Sequence, residues 1–298
     1  MKEKLKKRFT FKLWNRKRDL KTLKFIAGFI IIVASIIIIR AEIIYEFGLD
    51  KDNSANEPTE QKVEENNCNV SGIQLHGELV TYIPSNNLDK DGNVLEDQTS
   101  SDNIVYYINE AEKDENLKAI ILEIDSFGGS GVAAEEISNA LKNAKKPTVA
   151  LIRDIGASAA YFAATGTDRI FASENSNIGS IGVTMSYLDY TQQNQKEGVT
   201  YIPLSSGKFK DTGDPDRALS QEEKDLLMRD INIQHQNFIK SVAENRNIEI
   251  EKVEKLADGS TMLGEMALQN GLIDQIGGIG DVKEYLKEKI GGDVDICW

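Results

Sequence analysis

Residues 154–161, Asp-Ile-Gly-Ala-Ser-Ala-Ala-Tyr, join an apolar run to an Ala-rich run, and this junction decides the fold. The apolar run at 147–152 is short and carries β-branched residues, which predicts a buried strand. The run at 158–164 is small and Ala-rich, which predicts the opening of a helix. A serine at such a turn exposes its hydroxyl, and free N–H groups at a helix N-terminus can hold a developing anion. Ser158 is therefore a candidate nucleophile; the alternative is that it only caps a helix that packs closely on the sheet.

The same strand-then-helix order repeats on both sides of this junction. Residues 117–124 are apolar apart from Lys118 and Glu123, which predicts a buried parallel strand, and a helix follows at 132–143. The other predicted strands are 70–79, 169–172 and 200–204, and the other predicted helices are 102–112, 187–197, a long helix opened by a capping box at 220–223, and 263–270. This order predicts an α/β core with a mostly parallel sheet and right-handed crossovers.

Two glycine-containing turns follow predicted strands. Residues 125–131, Asp-Ser-Phe-Gly-Gly-Ser-Gly, form either an anion cradle or a plain turn between strand and helix. They do not match a Walker or dinucleotide-binding motif, because the lysine and the glycine spacing of those motifs are missing. Residues 177–183 predict a second turn, bracketed by Gly179 and Gly182 and leading into a strand.

The N-terminus predicts a membrane anchor. Residues 1–24 hold eleven Lys or Arg against two acids, and 25–39 are apolar apart from Ser35. With the semi-apolar run that follows, 25–47 is long enough to span a bilayer, which takes about 20 residues. A cleaved signal peptide is the alternative, but the basic region is long and no small-x-small site follows cleanly. The positive-inside rule then predicts a single-pass protein of the cell membrane, with 1–24 as a cytoplasmic tail.

The remainder of the chain is predicted to lie outside the cytoplasm as a flexible stalk at 48–67 and one domain at 68–298. After residue 40 the chain holds 46 acids against 23 basic residues, which argues against a nucleic-acid partner. Cys68 and Cys297 flank this domain, where they either pair or remain free thiols. Neither has a metal-type spacing, and we expect no metal and no cofactor.

The residue inventory narrows the choice of base for a serine nucleophile. The two histidines, His76 and His235, lie in a strand pattern and on a long helix, so a Ser-His-Asp triad is disfavoured. A lysine can act instead, although its ordinary pKa of about 10.4 must be lowered by desolvation. Lys208 and Lys210 lie in a glycine-containing loop, 205–215, after a predicted strand. Both can equally be solvated loop lysines.

Several motifs in order resemble those of the signal peptide peptidase A (protease IV) family of membrane-anchored serine proteases. The matching segments are 125–131, 156–162, 179–183 and 206–211, followed by 257–259 and 270–274 near the C-terminus. The similarity extends from about residue 70 to 285. It implies a Clp protease/crotonase-like layered fold, a Ser/Lys dyad, and a ring-like homo-oligomer in which adjacent subunits share each active site.

Carried over by position, the resemblance assigns five roles. Ser158 corresponds to the nucleophile and Lys210 to the general base, while Lys208 is the neighbouring lysine that does not match. Ser180 corresponds to a serine that orients the base by hydrogen bonding. The backbone N–H groups of Gly129 and Ala159 correspond to the oxyanion hole.

Two departures from the family pattern bear on specificity. Phe127 stands where the family usually has proline, and Ala159 and Ala160 stand where it usually has two glycines. Alanine is tolerated there if both positions are helical, as the predicted helix start requires. We therefore expect an intact dyad with altered specificity.

The sequence thus predicts a membrane-anchored serine endopeptidase that cleaves remnant signal peptides or other apolar peptides. Two alternatives stay open on the same fold. One is a crotonase-like acyl-binding or acyl-transfer enzyme that uses the Gly128–Gly129 turn without a serine nucleophile. The other is a non-catalytic membrane scaffold.

Overall fold

A nine-stranded sheet organises the described part of the chain. The structure, a computed structural model, describes residues 68–87 and 97–298. The predicted tail, anchor and stalk, residues 1–67, lie outside these residues. Among the helices that are described, none has both the length and the apolar character that a membrane span requires.

The elements alternate as the sequence predicts. The strands are β1 (Val70–Val80), β2 (Gln98–Ser100), β3 (Ala119–Gly129), β4 (Thr148–Ala157), β5 (Arg169–Ala172), β6 (Asn177–Gly179), β7 (Thr261–Leu263), β8 (Gln275–Ile276) and β9 (Ile296–Cys297). The helices are α1 (Ser101–Lys113), α2 (Gly131–Lys142), α3 (Ala159–Ala164), α4 (Thr191–Glu197), α5 (Gln221–Arg246), α6 (Ile250–Leu256), α7 (Gly264–Asn270) and α8 (Ile279–Ile290), with a short 3-10 turn at Ser85–Asn87.

The sheet is mostly parallel, with the strand order β2-β1-β3-β4-β5-β8. Strand β6 pairs with the end of β4, and β9 pairs with the start of β1, both parallel. Only the β6–β7 pair is antiparallel among the described strands. The predicted α/β class with a mostly parallel sheet is confirmed.

The central strands are buried on both faces, which explains why their sequences are continuous apolar runs rather than alternating ones. Ile120, Leu122 and Ile124 of β3 point into one core, and Ala119 and Ile121 point into another. The first core includes α1, α2, α3 and part of α5, whereas the second includes α8. The sheet therefore lies between two helical layers, and the carboxyl ends of β3 and β4 reach the same edge.

Three predictions about the segment after β6 are wrong. No strand forms at 200–204, the helix predicted for 187–197 covers only Thr191–Glu197, and the second turn contains β6 instead of leading into a strand. A strand needs a partner for its backbone groups, and residues 202–210 are exposed throughout. Leu204 and Ile202 are 96% and 74% exposed, so their apolar character does not reflect burial within this chain.

The two cysteines are joined. Cys68 and Cys297 form a disulfide with a Cα–Cα distance of 5.6 Å. The bond lies where β9 pairs with β1, with Val70 opposite Ile296 and Ser71 opposite Cys297. The structure therefore selects the paired state from the two that the sequence left open.

Candidate active site

Ser158 lies between the last residue of β4 and the first residue of α3, in a conformation that few non-glycine residues adopt. Its φ is 52° and its ψ is −125°. Its N–H donates to the carbonyl of Gly179 at 2.7 Å, which fixes the turn against β6. Its hydroxyl makes no capping hydrogen bond to α3, so the capping alternative is wrong. Backbone strain on the order of 1–3 kcal/mol is typically kept at functional sites, and here it presents a hydroxyl at a helix start.

Gly128 packs directly against this turn, whereas Gly129 packs against the backbone of Leu79. Their φ values are 107° and 147°, in the region that favours glycine. A Cβ atom at Gly128 would lie 2.9 Å from both the Ala159 nitrogen and the Ser158 Cβ. The Gly128 N–H donates to the buried Ser126 hydroxyl at 3.1 Å, and that hydroxyl donates to the Gly77 carbonyl. The end of β3 is thus held in place beside the start of α3.

Ala159 and Ala160 have the helical conformation that tolerates alanine. Both are buried. Neither has a positive φ, since the non-glycine residues with positive φ in the described chain are Ser158, Ser180 and Asn247. Ala159 is the first residue of α3, where a backbone N–H has no partner within the helix. The two extra methyl groups therefore do not distort the turn. Phe127 points outward and is 79% exposed.

Ser180 follows β6 and is also held at positive φ, 50°. Its N–H donates to the Ser260 carbonyl at 2.9 Å, and its hydroxyl donates to the Gly259 carbonyl at 3.0 Å. The hydroxyl oxygen still has lone pairs that can accept a hydrogen bond from a neighbouring amine. This is the chemistry that a base-orienting serine needs.

Four of the five predicted site residues line one cleft of about 930 Å³, namely Gly129, Ser158, Ala159 and Ser180. Val132, Phe162 and Phe238 give it apolar surface, and the rings of Phe162 and Phe238 stack with centroids 5.3 Å apart. A partly apolar cleft beside a serine suits an extended peptide.

Helix α5 forms one wall of this cleft, which the sequence alone did not predict. Gln234, His235 and Asn237 line it together with Phe238, and the Nε2 atom of His235 is buried without a hydrogen-bond partner. His235 and Phe238 are three residues apart and share a helix face. That spacing is visible in the sequence, but nothing local indicates that this face meets Ser158.

Lys210 is not among the residues that line the cleft. It is exposed, in a turn where its N–H donates to the Gly207 carbonyl at 3.1 Å. Lys208 contacts Glu222 through an ion pair of 2.6 Å, whereas Lys210 forms no ion pair with any described residue. The cleft thus brings together the candidate nucleophile, two candidate oxyanion donors and the candidate base-orienting serine, and leaves the candidate base outside.

A peptidase family model and several relatives named as proteases match this chain. Residues 140–292 match the model of Peptidase family S49. A provisionally named protease of Methanocaldococcus jannaschii is 36% identical over 188 residues, 61% of this chain and 60% of that protein. A provisionally named signal peptide peptidase SppA of Enterococcus faecium is 31% identical over 240 residues, 79% of this chain and 68% of that protein. Protease 4 of Haemophilus influenzae is 30% identical over 194 residues, 64% of this chain and 31% of that protein.

This chain therefore spans 60% of the first of these relatives and 31% of the last. Among solved structures, a ClpP1 mutant from Listeria monocytogenes matches with a TM-score of 0.45 and 14% identity. That match covers 70% of this chain and 92% of that chain.

Proposed function

The chain belongs to peptidase family S49 and is a serine peptidase, and from that premise we propose that it is a membrane-anchored endopeptidase with a Ser158/Lys210 dyad. The observation that carries the proposal is the strained Ser158 turn, whose hydroxyl caps nothing and opens into the cleft. The proposal includes the Clp protease/crotonase-like arrangement that the motifs imply.

The reaction follows from these groups. The Ser158 hydroxyl attacks the carbonyl carbon of a peptide bond while the neutral amine of Lys210 takes its proton. The N–H groups of Gly129 and Ala159 bind the oxyanion that forms. The protonated amine then gives its proton to the leaving nitrogen as the peptide bond breaks. A water molecule, deprotonated by the same amine, hydrolyses the acyl-enzyme.

The base is Lys210 and not Lys208. The ammonium of Lys208 is paired with Glu222 and lies 5.3 Å from the centre of the Phe209 ring, so it already has partners within its own chain. Lys210 carries no such partner among the described residues, so its amine is the one left available for proton transfer.

Lys210 reaches Ser158 from a neighbouring copy in a ring-like homo-oligomer. Two observations support this. Lys210 is exposed and outside the cleft of its own chain. The segment that carries it also exposes large apolar side chains, with Leu188 65%, Ile202 74% and Leu204 96% exposed. Contact with a second copy would bury this apolar surface and remove the amine from water.

The substrates are peptides near a membrane. The cleft combines apolar walls with exposed backbone at Gly129 and Ser180, which suits an extended, apolar segment such as a remnant signal peptide. The Cys68–Cys297 disulfide supports a location outside the cytoplasm, because such bonds persist in oxidising compartments. An anchor at 25–47 with a cytoplasmic tail at 1–24 would keep the domain beside these substrates.

Fluorophosphonate labelling of the full chain in detergent, with mass mapping of the modified residue and a signal-peptide cleavage assay, tests the proposal. We expect the label on Ser158, and we expect Ser158→Ala and Lys210→Ala to abolish cleavage while Lys208→Ala retains it. Full cleavage by Lys210→Ala would refute the assigned base. Absence of both labelling and cleavage would favour the acyl-binding enzyme or the scaffold.

A further inference from the structure

A buried carboxylate fixes one end of the loop that carries Lys210. The side chain of Glu223, at the start of α5, is 4% exposed. It accepts hydrogen bonds from the Ser220 N–H and hydroxyl, both at 2.9 Å, and from the Thr212 hydroxyl at 3.1 Å. Since Thr212 is two residues from Lys210, this carboxylate contacts the loop as well as the helix.

Arg217 completes the connection. Its guanidinium bonds both oxygens of the Glu223 carboxylate, with Nη1 at 3.0 Å from Oε2 and Nη2 beside Oε1. Nη2 also donates to the Asp211 carbonyl at 2.7 Å. Asp211 directly follows Lys210, so one guanidinium joins the helix start to the backbone beside the candidate base.

These contacts exceed what helix capping requires. A capping box needs only a serine and a glutamate three residues apart, and Ser220 and Glu223 already satisfy it. Thr212 and Arg217 add bonds that α5 does not need. Arg217 holds the pKa of the Glu223 carboxyl well below its usual range, with the Ser220 N–H adding to the effect. The pair therefore stays charged wherever a neutral amine can act.

We propose that Arg217 and Glu223 are positioning residues that hold Lys210 in the geometry needed for proton transfer. This inference rests on the proposed function, because it assigns a role only if Lys210 is the base. Residues 202–210 are exposed, and the loop at 205–215 contains no helix or strand. The clamp formed by Arg217, Glu223, Thr212 and the Asp211 carbonyl therefore supplies rigidity that packing around Lys210 does not.

The variant Arg217→Lys separates positioning from charge. Lysine keeps the positive charge opposite Glu223, but it lacks the planar fork that bonds both carboxylate oxygens and a carbonyl together. We expect kcat for a signal-peptide substrate to fall about 10- to 100-fold, as for other small misplacements of a catalytic group, with KM changed less than about twofold. Glu223→Gln should also lower kcat, with a similarly small change in KM.

The opposite end of α5 offers a matched control. Arg246 bonds both oxygens of Asp274, at 3.0 and 2.7 Å, and the Gly271 carbonyl at 3.2 Å, and its side chain is 7% exposed. Arg246→Lys thus disturbs the same kind of fork at the other end of α5, away from Lys210. We expect it to lower the unfolding temperature at least as much as Arg217→Lys while kcat of the folded enzyme stays near wild type.

Both variants are measured in the full chain in detergent, with kcat normalised to the folded fraction. Wild-type kcat in Arg217→Lys, or an equal loss in Arg246→Lys, would overturn the positioning role while Lys210→Ala remains inactive. Full activity in Lys210→Ala would refute the dyad itself, so the two failures are distinguishable.

Discussion

At the residue scale, the site depends on one position where a side chain cannot fit. Gly128 has φ 107°, and a Cβ there would contact the backbone of Ala159 and the Cβ of Ser158. Its neighbour Ser158 keeps its own positive φ without being glycine. The turn therefore combines one residue that must lack a side chain with the residue whose hydroxyl is the proposed nucleophile.

Gly128→Ala should abolish most activity with a smaller effect on stability. Moving the Ser158 turn displaces the oxyanion donors, and losing one donor typically costs about 10²- to 10³-fold in rate. The positive φ adds strain on the order of 1–3 kcal/mol. Cleavage rate and unfolding temperature measure the two effects.

Gly280→Ala is the control for this substitution. Gly280 lies in α8, where a Cβ would meet nothing within 4 Å, and its φ is not positive. We expect wild-type cleavage and unchanged or slightly higher stability, because alanine favours a helix over glycine. Normal activity in Gly128→Ala would contradict the packing of Gly128 against the Ser158 turn.

At the element scale, the sequence predicts buried elements well and exposed ones poorly. The runs at 117–124 and 147–152 correctly predict β3 and β4, because a strand covered on both faces must be apolar throughout. The pattern at 200–204 looks similar, yet it forms no strand in this chain. An apolar run alone therefore does not show that the same chain covers it.

The site residues also divide into those that the local sequence predicts and those that it does not. The junction at 154–161 correctly predicts that Ser158 lies between a strand and a helix. This prediction is possible because the residues that form the turn are adjacent in sequence. The α5 wall with His235 was not predicted, since its contact with the cleft depends on how a distant helix packs. The loop at 205–215 could be assigned only by resemblance, because its hydrogen bonds to α5 have no local pattern.

The contacts at the start of α5 predict how the stability of the folded protein depends on pH. The pKa of the Glu223 carboxyl is lowered by the Arg217 guanidinium and by Ser220. A lowered folded-state pKa contributes stability that is present above the unfolded value, about 4.3 for Glu, and is lost as pH falls through the folded value. Glu223→Gln should therefore unfold at lower urea concentration than wild type at pH 7, and the difference should shrink below about pH 4.

Glu222→Gln is the control, because that side chain is 64% exposed and its pair with Lys208 is a surface one. We expect its urea midpoint to stay near that of wild type across the whole pH range. A pH-independent difference for Glu223→Gln would show that the carboxyl contributes through packing and not through its charge.

At the scale of the whole molecule, the cleft of one chain contains only part of the proposed machinery. Gly129, Ser158, Ala159 and Ser180 share a cleft, while Lys210 lies outside it, in an exposed loop that follows the exposed apolar side chains of Ile202 and Leu204. This distribution is expected if each active site takes its nucleophile from one subunit and its base from the next. Closed rings generate such repeated head-to-tail contacts.

Complementation tests this claim most directly. Differently tagged Ser158→Ala and Lys210→Ala chains would be co-expressed, and the mixed assemblies purified through both tags and assayed for signal-peptide cleavage. Each variant alone should be inactive, whereas mixed rings should recover about a quarter of wild-type activity, since random mixing pairs an intact serine with an intact neighbouring lysine at that frequency. Inactive mixed assemblies would contradict a dyad shared between subunits.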